Sequence, residues 1–452
     1  MTPAVHLEEL PYRTDSCEIF ACIRQLPGAA FLDSAHPFAA TGRFDILTAD
    51  PIDPPPPLPD PNADERSAAA FFDELRRYHQ EQFSGVQPVA QDIPFCGGLL
   101  GCLSYDLGAR LQGVDGRALG PLSSLRAYNW CVIQDHLLQR AVLVSLPGLG
   151  ARRRGELTRM LQQRSPGKDT PFRLQRDFVV DIDEQAYADA FDAIAAYIRA
   201  GDCYQVNLAR HFQAPCSGDP WLAYRALRGV AAAPFSAYLD LPDGDALLSL
   251  SPERFLSLLG HHVETAPVKG TRPRRDNAVD DERAATSLRS SAKDRAENLM
   301  IVDLLRNDLG RSCVPGTIHV DKLFEVQSFA TVHHLVSTIS GELAPGRSAF
   351  ELLRDSFPGG SITGAPKKRA MQIIDELEHG PRGPYCGSVL YVSADGRMDS
   401  NIAIRSLLCS QGVTHCWAGG GIVADSVCAA EYQETLDKVG RFLQVLEALP
   451  RD

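Results

Sequence analysis

The chain has 452 residues, 44% of them apolar, enough to build the core of one large domain or two ordinary ones. Its 45 Lys and Arg stand against 57 Asp and Glu, a formal charge of −12, which argues against nucleic acid as the main partner because phosphate binding needs a basic footprint. An anionic ligand must then be met by cations placed locally.

The opening MTPAVHLEELPYR lacks a basic segment followed by an apolar one, and no uncharged apolar run is long enough to span a bilayer. The expectation is a soluble cytoplasmic protein with no membrane contact. The 12 cysteines include no C-x-x-C pair, so reduced and mostly buried thiols are expected.

Pro51 to Pro61 (PIDPPPPLPDP) is too proline-dense for a helix or an inner strand and reads as an exposed loop. A helix is predicted from about Ser67 to Gln80. Phe95 to Arg110 follows, its glycines suiting a strand packed closely against another backbone. Trp130 to Leu146 has the pattern of an apolar hairpin. The chain then turns basic and polar, which divides it into an N-terminal region 1–150, a linker 151–176 and a catalytic region 177–452.

The second region opens with an amphipathic helix over Glu184 to Ala200, capped by Asp183 and Gly201. Strands are predicted over Cys203 to Phe212, Ala237 to Leu241, Ala246 to Ser249, Tyr385 to Val392, Ile402 to Leu408 and Thr414 to Ala418. Strands outnumber regular β-α alternations, so the fold class is α+β, with large antiparallel sheets and helices outside.

Ser251 to Arg272 (SPERFLSLLGHHVETAPVKGTR) reads as a β-hairpin turning at Gly260, with Glu253 and Lys269 at its two ends. Lys269, between Val268 and Gly270, is either a desolvated amine with a lowered pKa or a surface lysine in a turn. Glu297 lies on the apolar stripe of a helix over Ala292 to Leu309, and a carboxylate aimed at the core needs a partner. On the last helix Glu431, Glu434 and Lys438 fall within about 60° of one another beside the buried stripe. They are either part of a Mg2+ site or an exposed ion pair at i, i+4 spacing. Pro358 to Ala370 (PGGSITGAPKKRA) suits a backbone cradle for an anion at a helix start, though it is not a Walker A loop. Ala418 to Ser426 (AGGGIVADS) lets backbone approach a ligand. Of His333 and His334, one suits the core and one a substrate hydroxyl; no zinc-ligand spacing occurs.

Taken together, these segments resemble the chorismate-utilising enzymes. The resemblance rests on GDCYQVNLAR, SPERF, PVKGTRPR, SAKDRAENLMIVDLLRND, VHHLVST, FPGGSITGAPK, YCGSVLYVS, IAIRSL, AGGGIVADS and EYQETLDKV. It runs in order over nearly all of Asp202 to Val439 and more weakly through the first region. It implies an anthranilate-synthase-like fold, its sheets packed as a sandwich.

Lys269 decides the branch. Members that aminate chorismate at C4 are similar in carrying lysine in this segment, anthranilate-forming members usually carry alanine, and water-using members carry a lysine where this chain has Gln205. The resemblance implies that Glu253 protonates the leaving C4 hydroxyl, Lys269 attacks C2, and ammonia then enters at C4 to give 4-amino-4-deoxychorismate, for 4-aminobenzoate and folate synthesis. Anthranilate formation is the alternative. By the same carry-over Glu297 and Glu434, with Glu431 nearby, hold Mg2+. Tyr391, Arg405, Lys438 and the backbone of Gly419, Gly420 and Gly421 bind the substrate's carboxylates, and Thr363 and His334 line the ring. No cysteine sits in a G-x-C-x-G context, so a separate glutamine amidotransferase partner is expected to supply the ammonia.

Overall fold

The computed structural model describes residues 5–39, 42–87, 89–90, 92–163, 169–275, 277–329 and 332–450. Among these the strands form two sheets, of 13 and 9 strands, and every pairing is antiparallel.

The larger sheet runs from His6–Leu10 at one edge through Arg140–Ser145, Trp130–Asp135, Phe44–Thr48 and Ala30–Asp33. It continues through Phe235–Asp240, Ala246–Ser251, Ser406–Ser410 and Val413–Ile422 to Gln205–Ser217. Side chains alternate along these strands: Ile46, Ile133 and Leu247 join the core shared with the second sheet, while Leu47, Val132 and Leu248 face the helices Cys17–Ile23, Pro220–Ala231 and Cys428–Glu447. The result is the expected α+β sandwich with helices outside, and no helix among the described residues is long and apolar enough to cross a membrane.

Strands on both sides of the expected boundary share each sheet. Ala30–Asp33 pairs with Phe235–Asp240, and Gly98–Leu103 pairs with Ser388–Ser393. The segment expected as a linker carries a helix, Ala151–Gln162, and its residues 164–168 lie outside the described ones.

Local signals read well where they are self-contained. The Glu184–Ala200 helix starts with the Asp183 side chain accepting from Ala186 N–H and ends at Gly201 with φ 84°, where glycine avoids the Cβ penalty. Phe95 to Arg110 differs from expectation. Only Gly98–Leu103 is strand, and Ser104 caps a helix over Tyr105–Leu111 by accepting from Asp106 N–H. The close approach is present: a Cβ on Gly98 would sit 2.2 Å from the Val392 carbonyl oxygen. Ten of the cysteines are buried.

Candidate active site

A cavity of about 650 Å3 opens between the sheets and two helices, Ala292–Gly310 and Cys428–Glu447. The chain crosses from one sheet to the other twice beside it. One crossing joins Ala246–Ser251 to Arg254–Leu259 and carries Glu253; the other joins Met398–Asn401 to Ser406–Ser410 and carries Arg405. The crossings are tied together, Ile402 N–H donating to the Glu253 carbonyl at 3.0 Å and Leu250 N–H to the Arg405 carbonyl at 3.1 Å. Arg405 has φ 51°, an unfavourable conformation for a side chain of this size and a frequent mark of functional positions.

Glu253 is 5% exposed and accepts from the Ser361 hydroxyl at 2.7 Å. Burial raises its pKa above the ordinary carboxylate value, with the Lys269 charge the chief opposing influence. The expected hairpin is present between Arg254–Leu259 and His262–Thr265, but Lys269 belongs to a third strand, Val268–Pro273, at the edge of the second sheet. A bulge between Val268 and Thr271 breaks its register there, and such bulges re-aim side chains. The Lys269 ammonium donates to the Ser361 carbonyl at 2.8 Å, and burial pulls its pKa below the ordinary lysine value against the charges of Glu253 and Glu297.

Ser361 lies in a short turn, Gly360–Ile362, clamped from beneath. The buried Arg382 donates to the Ile362 carbonyl at 3.0 Å and to the Asn207 carbonyl at 2.8 Å while pairing with Glu378 at 2.6 Å. Glu378 also accepts from Ala209 N–H at 2.8 Å. The strand Gln205–Ser217 and the turn are thereby fixed to each other.

Arg405 lines the cavity and makes no salt bridge among the described residues; burial alone pulls its pKa below the ordinary arginine value. His334 stands close by and accepts from or donates to the Thr271 hydroxyl at 2.9 Å. Burial, then the Arg405 charge, lower its pKa to about 4, so it is neutral at physiological pH. Gly419 and Gly421 expose backbone opposite Ala209 and Asn207. A Cβ on Gly419 has no room, since it would lie 2.6 Å from the Leu208 carbonyl oxygen, and one on Gly421 would lie 2.6 Å from Gln205 Nε2 and push that side chain aside. Asn207 lines the cavity, and its Oδ1 is buried without a partner among the described residues, as expected of a group that faces a ligand; the amide atoms of Gln205, behind the lining, are likewise buried without a partner among them.

The carboxylates gather on one wall. Glu297 comes from Ala292–Gly310, Glu431 and Glu434 from Cys428–Glu447. Lys438 bridges Glu434 at 2.7 Å and the Gly419 carbonyl at 2.8 Å, and Lys293 reaches Glu431 at 3.2 Å and Glu297 at 3.9 Å. Burial raises the pKa of Glu297; that of Glu434 is lowered, because burial, the largest single influence and an upward one, is outweighed by Lys438, Lys293 and Lys269 together. Among the described residues no group of three or more acid, histidine or cysteine side chains is placed to hold a metal ion by itself.

Glu253, Lys269, Glu297, His334, Arg405, Gly419, Gly421, Glu431, Glu434 and Lys438 thus meet at one cavity. Tyr391 does not. It lines a second cavity of about 690 Å3 with Arg254 and Asp399, because only Ser388–Ser393 is strand and its alternation sends Tyr391 to that side. The tyrosine facing the first cavity is Tyr385, stacked on Trp417 at 6.1 Å. Thr363 is fully buried, its hydroxyl donating to the Gly359 carbonyl at 3.3 Å, and it lies behind the wall. Gly420 points its missing side chain at the acids, 3.3 Å from Glu431 Oε2. Ser361, Asn207 and Lys293 were not singled out from the sequence; they lie within FPGGSITGAPK, GDCYQVNLAR and SAKDRAEN, and only those motifs signalled them.

One serine holds an acid and a desolvated amine, beside an arginine with no salt bridge among the described residues and a wall of carboxylates, a set of groups suited to nucleophilic chemistry on a small anion. The chain belongs to the chorismate-binding enzyme family, matching it over residues 31–444. Within that family it is an enzyme similar over nearly its full length to aminodeoxychorismate synthase component 1. The Salmonella typhimurium protein of that name is 45% identical over 97% of each chain, and the Escherichia coli K12 one is 44% identical over 99% of each. Among solved structures, anthranilate synthase component I from Streptococcus pneumoniae TIGR4 superposes with a TM-score of 0.75 at 30% identity, covering 89% of this chain and 92% of that one.

Proposed function

We propose that this chain aminates chorismate at C4 with ammonia, giving 4-amino-4-deoxychorismate, through a covalent adduct on Lys269. Arg405 carries the reading: a half-buried guanidinium with no acidic partner among the described residues of an acidic protein calls for an anionic ligand, and it lines the same cavity as the acid and the amine. The neutral Lys269 amine forms a bond to ring C2, the ring double bonds shift, and the C4 hydroxyl leaves as water with the proton of Glu253. Ammonia then bonds to C4, the double bonds shift back and the C2–N bond breaks, returning Lys269 as the neutral amine, and the ammonium formed at C4 gives a proton back to Glu253. Entry at C4 follows from the two displacements, since a single one would leave nitrogen at C2.

The acids Glu297, Glu431 and Glu434 suit Mg2+, which is commonly held by one or two carboxylates, several waters and a substrate anion rather than by a full protein cage. That two ammonium groups already sit against these acids shows the wall's demand for positive charge. When bound, Mg2+ would neutralise the substrate's ring carboxylate. The name component 1 borne by the relatives fits a second protein, a glutamine amidotransferase, as the ammonia source, with folate synthesis as the pathway.

The test is the product formed by this chain alone from chorismate, Mg2+ and an ammonium salt, separated by chromatography and identified by mass. Aminodeoxychorismate is the expected outcome. Anthranilate or isochorismate would overturn the C4 assignment.

A further inference from the structure

Lys293 is the second residue of the Ala292–Gly310 helix, one turn before Glu297. Its ammonium lies 3.2 Å from Glu431 on the facing helix and 3.9 Å from Glu297 on its own, so one charge spans the acids of two elements. Glu431 is only 2% exposed, and its other partner is the neutral Ser426 hydroxyl at 2.7 Å. A carboxylate this buried needs a compensating charge. The neighbouring cations are engaged elsewhere, Lys438 with Glu434 and Lys269 with the Ser361 carbonyl. The Lys293 side chain is itself 47% exposed, so its flexible stem can carry the ammonium into water at little cost.

We propose that Lys293 is a resident counter-cation of the carboxylate wall, holding Glu297 and Glu431 together while the wall is empty and giving way when a divalent ion binds. The inference rests on the Mg2+ reading above. It makes wild-type affinity for the ion a competition: the same acids attract the ammonium and the metal, and the two positive charges repel each other if both remain. The gain is a stable empty site; the cost is weaker metal binding.

The test is titration of the full chain with Mn2+, followed by electron paramagnetic resonance, for the wild type, Lys293→Met and Lys293→Arg. Lys293→Met should bind roughly tenfold more tightly than the wild type, whereas Lys293→Arg, which keeps the charge, should not. Without metal Lys293→Met should melt below the wild type, and saturating Mn2+ should close the gap. Equal or weaker Mn2+ binding by Lys293→Met, with the wild type binding normally, overturns the inference and leaves the metal reading standing. Absence of Mn2+ binding to the wild type, even with chorismate present, or binding unaffected by Glu297→Gln, overturns the metal reading and this inference with it.

Discussion

Lys269 donates its ammonium to the main-chain carbonyl of Ser361 at 2.8 Å, while the Ser361 side chain turns the other way and donates to Glu253 at 2.7 Å. The two contacts can therefore be separated. Ser361→Ala removes the second and keeps the first, and the hydrogen bond strengthens as Glu253 gives up its proton in the transition state, a bond to a charged group contributing about 1.5–3 kcal/mol. The expected outcome is a fall in kcat of roughly 10- to 100-fold with a small change in KM, read from steady-state amination of chorismate. An unchanged kcat would show that Glu253 needs no such support.

Lys269→Ala should abolish the C4 product, because no other described amine is held in the bulge where the edge strand turns inward. The check is mass analysis of the products from chorismate and ammonium. C4 amination at the wild-type rate would remove the covalent adduct from the mechanism.

The proposed chemistry needs Glu253 protonated and Lys269 neutral at once, so kcat/KM should trace a bell against pH. Burial moves the first upward from 4.5 and the second downward from 10.5, drawing the limbs together. The sign for stability follows. Glu253 favours its proton in the folded state, a contribution present at low pH and lost as pH rises through the folded value; Lys269 favours its neutral form, a contribution lost as pH falls through its own. A profile whose limbs stand at the free-residue values would show that burial tunes neither group.

Gly420→Ala tests the space beside the acids. The added Cβ meets no backbone, its nearest atoms being Glu431 Oε2 at 3.3 Å and Glu434 Oε1 at 3.7 Å. Folding should be retained, as read by circular dichroism and melting temperature. Misplacing a reacting group by about 1 Å costs roughly 100-fold, and a fall of that order in kcat/KM is expected. Full activity would place the substrate away from this strand.

Arg382→Met leaves Glu378 as a buried carboxylate without its partner, where the pair is now 1% and 7% exposed. Breaking such a pair from one side costs about 3–5 kcal/mol, measurable from the denaturant midpoint. A midpoint equal to that of the wild type would mean that desolvation of the pair already cancels its attraction.

What reads directly from the sequence is local. The Glu184–Ala200 helix, the turn at Gly260 and the side-by-side placement of Glu431, Glu434 and Lys438 depend on periodicity, caps and turn residues within one element. The motif order also carried the family, since each site segment keeps its own residues.

The tertiary structure alone decided how these segments face one another. Glu253 and Arg405 share a cavity because the chain changes sheets at both, and no periodicity encodes a crossing. Tyr385 faces the cavity and Tyr391 does not because the strand begins at Ser388, and a shift in where an alternation starts exchanges its two faces. Lys293 reaches Glu431 across 138 positions of sequence only because two helices lie against the same cavity. Local composition sets which residues carry charge; long-range packing sets which charges meet, because that depends on backbone contacts made far along the chain.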